Sequence, residues 1–309
     1  MKHVITTSGL AKVYGKRLAL EPLGIQIPRG GVTAVLGRNG SGKSTLIRVL
    51  MGLEAPTQGE SFVLGCPSTK LTPAVRERIG YLIEGHPTHE RLRVRTLADC
   101  ERALHPRFDD AVLDRVLDHF RVDRDARAGS LSRGQRGGLM LGVCLAAQPE
   151  LLVMDDPALG LDPVAKKALR EALLFTTRDP ERTVLIATHD LADVERLADR
   201  VLVLDRGSAR AWCTTEELGR RVLRVRVRLR GNPTFDGVPG LLTGRHDADR
   251  ETAELMVVAG PACELDEEQL NALDRVGTVK SINEPGFEAA ALAFLEEGPV
   301  SEGFLAGVR

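Results

Sequence analysis

The residues best suited to chemistry lie in Gly37-Arg38-Asn39-Gly40-Ser41-Gly42-Lys43-Ser44-Thr45, which fits the spacing G-x-x-x-x-G-K-[ST]. Glycines at 37, 40 and 42 allow backbone angles that a side chain forbids. Successive N–H groups can then turn inward as an anion nest, and a helix N-terminus behind them adds partial positive charge. Lys43 has the reach for terminal phosphates, and the Ser44 hydroxyl is of a type that ligates Mg²⁺. A second cluster is acidic. Leu151-Leu152-Val153-Met154 runs into Asp155-Asp156, as in a buried strand that carries carboxylates at its C-terminal end. So placed, Asp155 holds Mg²⁺ through water opposite Ser44, while Asp156 faces the outermost phosphate and orients or deprotonates a water. The competing reading is a helix N-cap run, Asp-Asp-Pro. His189 follows the apolar run Thr183–Thr188, where a ring N–H can donate to a phosphate. Ser132 and Gly134 stand at the start of a further helix, which is either a second phosphate contact or an ordinary N-cap. Tyr14, ahead of the glycine loop, is either a platform for a purine or a packed tyrosine.

The elements that must position these residues can be read from periodicity. Short strands are predicted at 3–7 and 23–27, then 32–36 before the loop and a helix after it that ends near Gly52. Strands follow at 61–65 and 79–84, the second ending on Glu84. Apolar residues from Leu97 to Val122 recur at helical spacing, with Asp109-Asp110 capping the second of two helices. A helix spans Arg136 to Ala147, and another runs from Pro163 to about Thr177 with Asp162 as its N-cap. Helix 191–198 and strand 200–205 complete this part near residue 215. Beyond it, Val222–Arg230 alternates strictly, with Arg224, Arg226, Arg228 and Arg230 on one side. That row is a solvated face or a set of cross-strand pairs with acids; an acidic partner or lipid headgroups are the alternative. Strand 255–259, helix 266–273, strand 278–282 and helix 287–295 complete a small α+β unit.

Composition excludes several classes. A chain of 309 residues is long enough for two domains. A formal net charge of -1 with 28% charged residues argues against wholesale nucleic-acid binding. Five scattered cysteines without a C-x-x-C pair argue for reduced thiols, and against a zinc site or a disulfide frame. The first residues, Met1-Lys2-His3-Val4-Ile5, lack a signal peptide's apolar core, and no apolar run approaches the ~18 residues of a membrane helix. The expectation is a soluble chain that reaches a membrane only through a partner.

In their order along residues 3–215, these motifs resemble the nucleotide-binding subunit of ABC transporters. The glycine loop resembles Walker A and Leu151–Asp155 resembles Walker B. Leu131-Ser132-Arg133-Gly134-Gln135 resembles the family signature, with Arg133 at a variable position. His189 is similar to the switch histidine, Tyr14 to the adenine-stacking aromatic, Glu84 to the glutamine of the Q-loop, and Gly160-Leu161-Asp162 to the loop that touches the opposite protomer. Residues 220–297 resemble, by pattern, the C-terminal extension of exporter ATPases.

The resemblance implies an α/β fold: a P-loop NTPase sheet with a helical signature subdomain at about 86–147, in a domain of residues 1–217, and a C-terminal α+β domain at 218–309. It implies ATP and Mg²⁺ as ligands, with Ser44, Glu84 and Asp155 at the metal, and Lys43, Glu84, Asp156 and His189 in catalysis. Two ATPase subunits, alike or different, pair head to tail, so Ser132, Gly134, Gln135 and Asp162 of one close over ATP held by the other. A separate membrane permease docks near Glu84 and residues 97–122, placing the chain on the inner face of the membrane, and no nucleic acid is expected.

Two residues depart from the family pattern. Asp156 stands where the family carries glutamate, which shortens its reach by about 1 Å; a misplacement of that size can cost ~10²-fold in rate. Hydrolysis is then slow, or the backbone compensates, or the subunit pairs with a better one. Glu84 replaces glutamine, adding negative charge and removing an amide donor. The expected function is the ATP-hydrolysing motor of an exporter. A non-transport ABC ATPase and a slow ATP-dependent switch are the alternatives.

Overall fold

The computed structural model describes residues 2–176, 179–231, 233–248 and 251–296. The chain opens with β1 (His3–Tyr14), β2 (Arg17–Leu23), β3 (Gln26–Pro28) and β4 (Gly31–Leu36), followed by α1 (Lys43–Leu50). Next come β5 (Gln58–Val63), β6 (Cys66–Pro67), the short α2 (Pro73–Arg76) and β7 (Ile79–Leu82). Three helices follow, α3 (Val94–Leu104), α4 (Asp110–His119) and α5 (Arg133–Ala146), and then β8 (Leu151–Asp155), α6 (Pro163–Thr176), β9 (Thr183–Thr188) and α7 (Leu191–Leu197). The chain continues through β10 (Arg200–Asp205), β11 (Ser208–Thr214), α8 (Thr215–Arg221), β12 (Val222–Leu229), β13 (Leu241–His246) and β14 (Thr252–Val258). It ends on α9 (Glu267–Val276), β15 (Gly277–Asn283) and α10 (Phe287–Leu295). The expected helix end at Thr177 and the tail of the expected second domain, 297–309, lie outside the described residues.

Among the described residues, three sheets organise the chain. The central one has the order β11-β10-β4-β9-β8-β7. Its pairs from β10 to β7 are parallel, and β11 adds an antiparallel edge. Every residue of β8 and β9 is buried, as expected of parallel strands covered on both faces, whose sequences read as unbroken apolar runs. The parallel pairing brings the C-terminal ends of β4, β8 and β9 to one edge. A second sheet, β2-β1-β5-β6 with β3 also on β1, is antiparallel and covers α1 from the other side.

Two expectations change here. β1 does not stop at Thr7 but runs on to Tyr14, and Gly15-Lys16 turns it back into β2 with Tyr14 opposite Arg17. Register shifts between Leu10, Lys12 and Val13 break the alternation that would have revealed the hairpin. β7 ends at Leu82, so Glu84 stands on the loop beyond the sheet edge rather than on the strand.

Helices α3, α4 and α5 form a separate layer. Asp109 caps α4 by accepting the Ala111 and Val112 N–H groups at 2.9 and 3.2 Å. α5 begins three residues earlier than its periodicity suggests, because Ser132 and Gln135 form a capping box. Glycines let α5 approach α4 closely: a Cβ at Gly138 would come within 2.2 Å of the Phe120 ring.

The third sheet, β13-β14-β12-β15, is antiparallel throughout. One face, with Leu223, Val225, Val227 and Leu255, packs on Leu273 and Val276 of α9. The other face carries the arginine row. Arg224, Arg226 and Arg228 lie 3.5, 3.6 and 3.7 Å from Glu254, Asp247 and Glu251. Arg230, just past the strand, lies 3.4 Å from Asp274. The division expected between residues 217 and 218 falls inside α8, which runs directly into β12 without a linker. α10 returns to pack on α7, α8 and β10, so Phe287 and Phe294 share one core with Val194, Val203 and Leu218.

Candidate functional site

At the C-terminal edge of the central sheet lies a cleft of about 370 Å³. It brings together Tyr14, Asn39, Gly40, Gly42, Lys43, Ser44, Thr45, Glu84, Asp155 and Asp156 from segments far apart in sequence. The glycine loop leaves β4 at Leu36 and enters α1 at Lys43. Gly42 has φ 108°, and a Cβ there would stand 2.6 Å from the Ala19 carbonyl, so both the angle and the space require glycine. A Cβ at Gly37 would meet the Leu204 carbonyl at 2.3 Å. Lys43 is 7% exposed, and its ammonium donates to the Gly37 and Arg38 carbonyls at 2.7 and 3.2 Å. Burial pushes its pKa down, against the nearby carboxylates of Asp156, Asp155 and Glu84. Arg38, Asn39 and Gly40 are exposed at the loop's tip, and the buried Ser41 hydroxyl has no hydrogen-bond partner.

The acidic pair stands opposite. Ser44 donates to the Asp155 carboxylate at 3.0 Å. Burial raises the Asp155 pKa; the Ser44 hydrogen bond works against that rise, and Glu84 adds to it. Asp156 follows in the left-handed region, with φ 42°, held by its N–H donating to the Ala187 carbonyl at 2.9 Å. One of its carboxylate oxygens lies 2.8 Å from Nδ1 of His189; the other is buried without a partner. The chemistry assembled is an anion cradle, an oxygen-only donor pair suited to a hard divalent cation, and a carboxylate hydrogen-bonded to an imidazole. Among the described residues no cluster of three or more His, Cys, Asp or Glu could hold a metal by itself.

Tyr14 stands at the cleft, 41% exposed, and its hydroxyl donates to Glu54. The Lys12 ammonium lies 5.0 Å from the ring centroid. Burial, followed by the Glu54 hydrogen bond, raises the Tyr14 pKa.

The signature residues lie elsewhere. Ser132, Gly134, Gln135 and Asp162 do not line the cleft. Ser132 is exposed, and its hydroxyl accepts the Gln135 N–H at 3.2 Å. Gln135 returns its carbonyl to the Ser132 N–H at 3.1 Å and donates to the Arg121 carbonyl at 2.8 Å, so both ends of the amide are engaged inside the subunit. Asp162 caps α6, accepting the Val164 and Ala165 N–H groups, each at 2.9 Å. Sequence reasoning passed over Arg17 and Leu159, which also line the cleft. No spacing signal marks Arg17, because the β1–β2 hairpin carries it there.

Similarity to known proteins agrees with this geometry. Residues 20–159 match the family described as ABC transporter. The daunorubicin resistance ATP-binding protein DrrA3 of Streptomyces coeruleorubidus is 33% identical over 311 residues, covering 97% of this chain and 94% of its own length. The bacitracin transport ATP-binding protein BcrA of Bacillus licheniformis is 30% identical over 209 residues, 67% of this chain and 68% of its own. A solved ATP-binding subunit of an ABC transporter is 26% identical with a TM-score of 0.63, covering 70% of this chain and 92% of that one. The chain therefore belongs to the ABC transporter family, as one of its ATP-binding subunits. ATP hydrolysis, coupling to a membrane permease and pairing of cassettes are general to that family. Among the described residues no helix is long and apolar enough to cross a membrane.

Proposed function

We propose that this chain is the ATP-hydrolysing motor of an exporter and works in pairs, each cleft completed by the partner's signature loop. The observation that carries the reading is Asp156, whose carboxylate touches His189 at 2.8 Å and keeps its second oxygen buried and unpartnered beside the phosphate loop. Such an oxygen costs free energy unless a ligand or water meets it. In this reading Lys43 exchanges its two backbone carbonyls for phosphate oxygens, and the loop N–H groups cradle the remainder. Ser44 and Asp155 would hold Mg²⁺, whose charge, when bound, would offset that of the phosphates; Glu84, which lines the same cleft, would be a further oxygen donor. Asp156 orients the attacking water, and His189 fixes that carboxylate and donates toward the γ-phosphate. Tyr14 stacks the base, and Ser132 and Gly134 of the second subunit close the site from outside.

Export is favoured by the relatives named for bacitracin transport and daunorubicin resistance, the second of which matches through the C-terminal sheet. A permease then docks beside Glu84 on the helical layer, where a groove of about 300 Å³ runs between Pro87, Leu97, Leu139 and Met140. The chain so placed is cytoplasmic, on the inner face of the membrane.

The test is ATP-dependent pairing. Asp156→Asn is expected to bind ATP but to lose about 10²-fold in phosphate release. With ATP and Mg²⁺ it is expected to run as a dimer in light scattering, and Ser132→Arg is expected to abolish that dimer. A chain that stays monomeric under these conditions with its natural companion present contradicts the reading. A slower alternative, a switch that closes on ATP and barely turns it over, is favoured by the short side chain of Asp156. Tight ATP binding with near-zero steady-state phosphate release in the parent chain would select it.

A further inference from the structure

The helix that starts on the phosphate loop is closed off against the arm that carries Tyr14. α1 stops in a glycine turn. Gly52 has φ 65° and its N–H donates to the Val49 carbonyl at 3.1 Å, while the Leu53 N–H returns to the Arg48 carbonyl at 2.9 Å. A Cβ at Gly52 would meet the Ser68 carbonyl at 2.2 Å, so the turn is built for glycine. The Glu54 N–H shares the Arg48 carbonyl at 3.3 Å, which ties Glu54 to the C-terminal end of the helix.

The residues that follow fasten onto the end of β1. The Lys12 ammonium donates to the Ala55 carbonyl at 2.7 Å, the Val13 N–H to the Thr57 hydroxyl at 3.0 Å, and the Thr57 N–H to the Ala11 carbonyl at 2.8 Å. These contacts hold the arm. Its ring is held by a side chain: the Tyr14 hydroxyl donates to the Glu54 carboxylate. That carboxylate is itself fixed, 3.4 Å from the Lys12 ammonium and 3.7 Å from the Arg48 guanidinium. Lys12 also stands over one face of the Tyr14 ring, 5.0 Å from its centroid, and leaves the other face for a flat ligand.

We propose that Glu54 is a positioning residue for the base of the nucleotide: by accepting from the Tyr14 hydroxyl, it sets the plane of the ring before ATP arrives. An aromatic side chain on an exposed arm has several rotamers open to it, and ordering one of them during binding costs affinity. With Glu54 as acceptor the ring is ordered in the free protein, and that cost is absent from the binding step. Lys43 stands at the first residue of α1 and Glu54 just beyond its last turn. One short helix, about 12 Å long, therefore carries the supports for both the phosphates and the base. The inference rests on Tyr14 being the platform for the base.

The experiment measures the binding of ATP and of inorganic tripolyphosphate, each with Mg²⁺, to the full chain by titration calorimetry. Tripolyphosphate has phosphates for the glycine loop and no base to stack. Glu54→Leu removes the acceptor, and Tyr14→Phe keeps the ring and removes the donor. Each is expected to weaken ATP about fivefold, the scale of ordering one side chain, and to leave tripolyphosphate within about twofold of the parent. The double variant is expected to bind ATP no worse than either single one, because the two residues act through one contact. Glu54→Gln keeps an acceptor oxygen and is expected to restore ATP affinity to within about twofold of the parent. The proposal is overturned if Glu54→Leu binds ATP like the parent. It is equally overturned if ATP and tripolyphosphate weaken together, since Glu54 then only braces α1, or if the two losses multiply in the double variant. Failure of Glu54→Gln to restore ATP binding overturns it too, because charge then carries the effect. Tyr14→Ala, titrated alongside, tests the layer beneath. If it binds ATP like the parent, the ring is no platform, and both that reading and the proposal fall. If it weakens ATP while Glu54→Leu does not, the proposal alone falls.

Discussion

The nucleotide cleft and the C-terminal sheet both gather charge, and they treat it in opposite ways. On β12, Arg224, Arg226 and Arg228 each meet an acid from β14 or the loop before it, at 3.5, 3.6 and 3.7 Å. These groups are half-exposed, and the distances exceed those of strong hydrogen bonds, so each pair contributes little. In the cleft, Lys43 turns to backbone carbonyls instead of Asp155 or Asp156, and Asp156 keeps a buried oxygen with no partner. Charge neutralised by its neighbours shapes a surface. A buried carboxylate oxygen without a partner is costly to fold around, and its persistence points to a ligand that completes it.

The largest way to break this contrast is Lys43→Ala. Phosphate release is expected to fall on the order of 10³-fold, since the transferring phosphoryl group loses a buried cation of the cleft. Intact turnover would put the buried ammonium of the cleft outside the chemistry. An intermediate case sharpens it. Glu150 accepts from Arg78 at 2.7 and 2.9 Å and from Arg29 at 3.3 Å. The Arg78 guanidinium pulls its pKa from 4.5 to about 2. The folded pKa lies below the unfolded one, so the stabilisation is complete above about pH 4.5 and is lost as pH falls toward 2. With screening, it should amount to about 1–2 kcal/mol. Glu150→Gln is expected to lower stability by that amount at pH 7, and to lose less than the parent between pH 4.5 and 2 in chemical denaturation. The smallest effect belongs to the sheet: Arg226→Ala should change stability by less than about 0.5 kcal/mol and leave ATP turnover alone. A larger loss would mean that the arginine row does more than coat a face.

Much of the cleft was legible because its motifs are local. The phosphate loop carries its own geometry from Gly37 to Thr45, and an apolar run announces where Asp155 and His189 leave the sheet. Caps marked helix starts at Asp109 and Asp162. The signal for α8 was also present, since Thr214 and Glu217 stand in capping-box spacing, and it was passed over. Other features had no local signal. β13 reads Leu-Leu-Thr-Gly-Arg-His, a strand with a central glycine and no clean alternation, and it exists because β14 pairs with it. The burial of His86 depends on the missing side chain at Gly137, some fifty positions away, and only tertiary structure joins them.

α10 has a consequence for synthesis. Ribosomes deliver the polypeptide from its beginning, and Val194, Val201, Val203 and Leu218 are made well before the helix that covers them, Phe287–Leu295. Until that helix emerges, the nascent cassette carries a bare apolar wall. That wall stays uncovered while the residues ahead of Phe287 are made, and a product truncated there would present it to chaperones and proteases.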